Sequence, residues 1–260
     1  MKITYLPTRI FALLLLPLFG ALSANTFAQE AAPPAVVETW ACSYEPGKSA
    51  KDVMTARDYY LKQADKAGLT LGPAYMWTLL KGDVDFDLLW LAPHENFMAF
   101  AASADAEAAA TEIADVQARF DAVIKCKPRL STIMPMFQRE GAADGGAEAN
   151  VISTNACQLM PGVGAAEIRD LASHINGVLS AMGDNTPSAV YAMASMTGGQ
   201  NTPDFVLFTV NESLTSYGNF MGAIGADPEG QRLGRHFNMM GDCNLAMWTS
   251  QQVITPAQGE

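Results

Sequence analysis

Ala41-Cys42-Ser43-Tyr44-Glu45-Pro46-Gly47 and Ala156-Cys157-Gln158-Leu159-Met160-Pro161-Gly162 set the same frame, Ala-Cys-x-x-x-Pro-Gly, at two points of a 260-residue chain. Working outward, each frame precedes a helical pattern that ends near a glycine, Gly68 or Gly183. A strand pattern containing Tyr75 or Tyr191 follows, then one opening Asp85-Phe86 or Asp204-Phe205. Asn-Phe-Met recurs at 96–98 and 219–221, opening a second helical region, and Cys126 or Cys243 enters a final strand. The cysteine separations are 84 and 86 residues. Each match alone is weak, but one order at nearly constant offset reads as an internal repeat.

Each copy reads as β-α-β-β-α-β. In the first, Val37 to Glu45 is a strand that Pro46-Gly47 ends. A helix from Ser49 or Lys51 carries Val53, Ala56, Tyr60, Leu61 and Ala64 on one stripe. Ala74 to Leu80 and Phe86 to Leu91 are strands joined through the turn signal Lys81-Gly82-Asp83. Asn96 to Lys125 is helical with a break expected near Ser103 to Asp105, and Arg129 to Phe137 is the last strand. The second copy reads Thr154 to Leu159, Ala166 to Met182, Ala189 to Met196, Phe205 to Val210, Leu214 to Met240 and Asn244 to Ser250. Gln138 to Asn150, rich in Gly, Ala and acids without apolar periodicity, is a linker by composition. The expected domains are therefore 29–137 and 151–260, two ferredoxin-like units in tandem.

Pro46-Gly47-Lys48 before the first helix resembles the dimeric α+β barrel superfamily. So does Leu89-Trp90-Leu91-Ala92-Pro93-His94-Glu95-Asn96-Phe97-Met98, a strand end running into an aromatic-rich helix. That group includes antibiotic-biosynthesis monooxygenase-like, EthD-like and NIPSNAP-like proteins. The resemblance covers both halves and implies an α+β fold in which two ferredoxin-like units pack sheet to sheet, here as an intramolecular barrel. It implies no single activity, since the fold hosts enzymes, haem proteins and proteins without a known reaction.

Four cysteines allow three connectivities. In a ferredoxin-like sheet the first and last strands are antiparallel neighbours, so the end of strand one lies beside the start of strand four. That topology predicts disulfides Cys42–Cys126 and Cys157–Cys243. Metal-binding thiolates would want spacings such as C-x-x-C, which the sequence lacks.

The amino terminus reads as a secretory signal over 1–28. Lys2 and Arg9 precede an apolar run from Ile10 to Leu22, and Thr26-Phe27-Ala28 offers a cleavage site. The run is short for a membrane span, and no later stretch is apolar over spanning length. The mature protein is expected to be soluble, periplasmic or secreted. Loss of two cations and no acid takes the net charge from −11 to −13, which argues against nucleic acid or an anionic membrane as partner. With 49% apolar and 17% charged residues the chain suits a packed globule, and a monomer is expected because a tandem chain satisfies its own pairing.

Candidate chemistry is sparse. His94, with Glu95 beside it, follows strand three and could stand at a barrel mouth as an acid/base; a helix-entry His-Glu is also common. His174 reads as helix surface. His236 with Met239 and Met240, together with Met134 and Met136, would admit copper, although methionine equally fills irregular cores; neither metal nor cofactor is expected. No G-x-S-x-G elbow is present, and Gly145-Gly146 and Gly198-Gly199 read as turns. Asp85 and Asp87 read as a strand's solvated start. The aromatic residues point to a ligand: Trp40, Cys42 and Tyr44 share one face of strand one, Tyr75 and Trp77 one face of strand two, and Trp90 lies on strand three. If those faces meet between the sheets they line a cavity for a small apolar molecule, the alternative being a filled core. The leading expectation is therefore a binding protein, ahead of a monooxygenase-like or isomerase-like enzyme using His94 and a purely structural or interaction protein.

Overall fold

Val36 and Val37 are neighbours on one strand, so their side chains point to opposite faces, yet they are 1% and 2% exposed. A strand buried on both faces needs two cores, and the architecture supplies them. The computed structural model describes residues 35–141, 150–197 and 202–256. The expected leader, most of the expected linker and both glycine pairs lie outside the described residues.

The first half contains β1 (Ala35–Tyr44), α1 (Ala50–Lys66), β2 (Ala74–Gly82), β3 (Leu88–His94), α2 (Phe97–Ala109), a 3₁₀ turn (Thr111–Ile113), α3 (Val116–Asp121) and β4 (Ile124–Gln138). The second contains β5 (Asn150–Leu159), α4 (Ala165–Met182), β6 (Ala189–Ser195), β7 (Phe205–Asn211), α5 (Leu214–Ala226), α6 (Pro228–Asn238) and β8 (Gly241–Ile254). The eight strands close into an antiparallel barrel in the order β1-β3-β2-β8-β5-β7-β6-β4. This is a ferredoxin-like α+β barrel.

β4 and β8 are long because each serves two partners. Ile124 to Ile133 pairs with β1 and Ser131 to Gln138 with β6; Gly241 to Ser250 pairs with β5 and Ala246 to Ile254 with β2. Register shifts fall on the two seams, at Pro135/Phe137, Ala74/Tyr75 and Leu79/Lys81. Such irregularities add the bend that closure needs. Gly82 (φ +145) is part of the β2–β8 seam, where an added Cβ would lie 2.7 Å from that of Ala246. The Pro-Gly turns after β1 and β5 need the left-handed backbone of Gly47 (φ +78) and Gly162 (φ +91).

Alternation divides the core. Val37, Trp77, Leu91, Ile152, Met193, Phe208 and Trp248 meet inside the barrel. Outside it, Cys42, Met76 and Leu88 pack with Val53 and Ala56 of α1, while Cys157 and Phe205 pack with Leu171, Ile175 and Leu179 of α4. The disulfides Cys42–Cys126 and Cys157–Cys243 join residues directly opposite in register, Cα atoms 4.0 Å apart, on this helix-covered face.

Several boundaries differ from expectation. β3 begins at Leu88, so Asp85-Phe86 lies in the β2–β3 connection. The position matching Asp204 is Asp87: its backbone N–H donates to Cys42 O as that of Asp204 donates to Cys157 O. The Asp87 carboxylate accepts from Tyr44 N as that of Asp204 does from Leu159 N. The Asn-Phe-Met match likewise joins unequal positions, for Asn96 caps α2 whereas Asn219 lies inside α5, whose cap is Ser213. The Ala-rich α2 runs through 103–105 and breaks only at Ala110, and Asp227-Pro228 splits the long helix expected over Leu214 to Met240.

Candidate functional site

The barrel interior is neither a filled core nor one chamber. Trp77 meets Phe208 edge-on with ring centroids 5.2 Å apart, and Phe208 stacks on Tyr191 at 5.2 Å. Trp77 and Leu91 line cavities on both sides of this waist, one of about 420 Å³ and one of about 260 Å³. Trp248 forms a wall of the larger cavity, fixed by its indole N–H, which donates to Thr154 Oγ1 at 2.9 Å. The β2–β3 connection reaches across the mouth and lays Phe86 parallel to Trp248, centroids 5.5 Å apart. Ser43 Oγ donates to Asp85 O, and Lys127 of β4 lies 3.9 Å from the Asp85 carboxylate, so the connection is tied to the rim. Thr39, Arg129 and Ser131 add polar groups to the β1–β4 wall.

Tyr75 and Trp77 therefore face the interior, Tyr75 on the smaller cavity and Trp77 on both. Trp40, Tyr44 and Trp90 do not. They share the Cys42 face and pack in the outer core beneath α1 and α3, with Trp90 edge-on to Phe120 at 6.1 Å. The shared face of Trp40, Cys42 and Tyr44 was legible, but alternation alone does not say which face meets helices. Trp248 and Phe86 take the role expected of Trp40 and Trp90. Trp248 is the one tryptophan of the second half, and Phe86 reads in the sequence as a strand residue.

A second site lies on the outer face. His94 ends β3 rather than following it, with its ring edge-on to Phe100 of α2 at 5.5 Å. Its carboxylate neighbour is Glu38 of β1, Oε2 to Nε2 4.0 Å, and not Glu95, which is exposed. His94 Nε2 is buried without a hydrogen-bond partner among the described residues. Tyr60 of α1 donates to Glu107 of α2 at 2.9 Å beside the pair. Burial, followed by the Glu107 carboxylate, pushes the Glu38 carboxyl up to about 7. Burial pushes His94 below its ordinary value, opposed by Glu107, and burial raises the Tyr60 phenol. Burial thus favours the uncharged forms of both the Glu38 carboxyl and the His94 imidazole. Glu38 was missed although it interrupts the apolar strand Ala35-Val36-Val37-Glu38-Thr39-Trp40, a usable signal. The matching outer positions of the second half hold Ser153, Thr209 and Asn211, which bond to one another and do not titrate.

His174 and His236 meet across α4 and α6 with Nδ1 atoms 3.1 Å apart. Of the two methionines after His236, Met239 is 69% exposed and Met240 3%, so Met240 fills the core and Met239 faces solvent. Among the described residues no three His, Cys, Asp or Glu side chains are grouped to hold a metal, and no helix is long and apolar enough to cross a membrane.

No protein-family model matches the chain, and neither does any curated protein. Solved structures do. A Fusobacterium nucleatum protein provisionally described as a monooxygenase superposes with a TM-score of 0.56 at 12% identity, over 87% of this chain and 96% of its own. A Lactobacillus acidophilus protein with the same description gives 0.49 at 10% identity, over 87% and 97%. A variant of the chlorite dismutase of Candidatus Nitrospira defluvii gives 0.46 at 9% identity, over 84% and 92%. The likeness to the Fusobacterium protein is one of fold, an α+β barrel.

Proposed function

We propose that this is an exported binding protein that takes a small, mainly apolar molecule into the larger cavity of the barrel. The observation that carries the reading is a volume of about 420 Å³ walled by Trp77 and Trp248 and roofed by Phe86. That size suits a small organic ligand, with aromatic walls to hold its body and a few polar groups to orient it. In this reading the barrel is two ferredoxin-like units, 29–137 and 151–260, joined by a linker. The chain works as a monomer in the periplasm or outside the cell after losing residues 1–28. The two disulfides fit an oxidising compartment. Titration with naphthalene and indole is expected to change tryptophan fluorescence. At a hundredfold excess over Kd the melting temperature should rise by roughly 5–10 °C, the equivalent of about 2.7 kcal/mol. A panel of such ligands that moves neither signal would overturn the reading.

A second reading, an enzyme using His94 as acid/base, is favoured by one observation: the His94 imidazole lies 4.0 Å from the Glu38 carboxyl in a half-buried site. The likeness to the Fusobacterium protein supports the scaffold only. Turnover is expected to follow a group with an apparent pKa near 7 and to vanish in His94→Gln. Glu38 also leaves a mark on stability. Its carboxyl titrates near 4.5 when unfolded and about 7 when folded, so between those values the folded state holds more protons. Stability then falls as pH rises through that window and levels above it. Glu38→Gln should remove the slope and stabilise at pH 8 by about 1–2 kcal/mol, discounted for partial exposure. A wild-type stability curve that rises between pH 4.5 and 7, with no effect of Glu38→Gln, would exclude the raised Glu38 carboxyl.

A further inference from the structure

One wall of the larger cavity carries more polarity than an apolar ligand needs. Arg129 of β4 pairs in register with Thr39 of β1, and Ser131 follows two residues on, so the three side chains share the interior face. Thr39 is 8% exposed and Ser131 6%. Neither hydroxyl has a hydrogen-bond partner among the described residues, in contrast to Thr154 and Ser195 of the same lining, which donate to Ala246 O and Pro203 O. The Arg129 side chain has neither ion pair nor hydrogen bond among the described residues. Other polar features nearby have partners or lie at the rim: Asp85 faces Lys127, Trp248 is bonded to Thr154, and Asn244 is exposed. Asp83 also borders the cavity and is exposed on its rim.

Hydroxyls and a half-buried guanidinium that face a cavity without protein partners gain a charge-assisted contact when an anionic acceptor reaches them. All three can donate, and a guanidinium cannot accept. The group that satisfies them together is an acceptor with several lone pairs and a negative charge. Resting on the cavity reading above, we propose that the ligand is an amphipathic carboxylate. Its carboxylate meets Arg129, Thr39 and Ser131, and its aryl or short alkyl body lies against Trp77, Trp248 and Phe86. A chain with a net charge of −11 repels anions in general, so a preference for the acid over its neutral analogue must be local to this wall.

The test compares octanoate with octanol, and 2-naphthoate with 2-naphthalenemethanol, on the disulfide-intact protein at low salt, read by tryptophan fluorescence and calorimetry. Each acid is expected to bind about tenfold or more tightly than its alcohol, as a charge-assisted contact to Arg129 implies. Arg129→Gln should collapse that ratio toward one, and the pair Thr39→Val with Ser131→Ala should reduce it. Arg119→Gln, on the exposed surface of α3, should leave it unchanged, and a ratio lost there too would assign the preference to bulk charge and overturn the inference. Alcohols binding as tightly as acids in the wild type would overturn the carboxylate while leaving the cavity reading intact. If neither acids nor alcohols bind, both fall together.

Discussion

Replacing Cys42 and Cys126 together by alanine is expected to lower stability by about 3–5 kcal/mol, and replacing Cys157 and Cys243 by a similar amount. The bridges close loops of 84 and 86 residues, long enough to remove much of the freedom of the unfolded chain. Each has one end in a core, Cys42 and Cys157 both being 0% exposed beneath α1 and α4, whereas Cys126 is exposed and Cys243 half-buried. Thiol-free variants therefore lose packing as well as the cross-link. Urea midpoints of the two double variants, measured separately, check the magnitude. The difference in exposure adds a kinetic expectation: dithiothreitol should reduce Cys42–Cys126, through the exposed Cys126, faster than Cys157–Cys243 in the native protein. Variants that unfold at the wild-type midpoint would mean that the bridges do not hold the outer cores together.

Trp248→Ala should cost about 3–5 kcal/mol, near the upper end for a buried aromatic. Trp248 is 1% exposed, stacks on Phe86 and donates to Thr154, so truncation leaves a hole, removes one of the two hydrogen bonds of the Thr154 hydroxyl and leaves a roof without its support. Trp248→Phe keeps the ring against Phe86 and should recover more than half of the loss. The two variants separate stacking from the hydrogen bond. Trp90→Ala, on the outer face, should by contrast leave ligand affinity at the cavity unchanged. Calorimetric melting of all three gives the ranking.

Much of the scaffold was legible because its signals are local and repeated. The two Ala-Cys-x-x-x-Pro-Gly frames located β1 and β5, and the sheet topology they implied paired the cysteines as the structure has them. Where the reading slipped, the missing information was tertiary. Asp85-Phe86 and Asp87-Leu88 are both acid–apolar pairs, and only the hydrogen bonds to Cys42 and Tyr44 single out Asp87 as the strand's start. That two-residue shift turns Phe86 from a strand residue into the roof of a cavity. The starts of β4 and the end of β8 were too polar to read as strand, since the Ile124 to Pro128 and Gln251 to Ile254 segments gain their partners from β1 and β2. Pro228 was a signal in plain view, and it does break the helix.

The candidate sites were less legible than the fold. Trp40 and Trp90 alternate correctly yet face α1 and α3, because both faces of these strands are covered and hydrophobicity does not tell barrel from helix. His94 was found, but its partner Glu38 sits 56 residues earlier, joined to it only by the β1–β3 pairing. Arg129, Thr39 and Ser131 carry no motif; they become a group through register.

The most direct test of the central claim is a crystal structure of the protein soaked with 2-naphthoate. The expected result is ring density between Trp77, Trp248 and Phe86 with the carboxylate on Arg129. Ring density beneath α2 beside His94 and Glu38, or a larger cavity filled by the protein's own side chains, would contradict it.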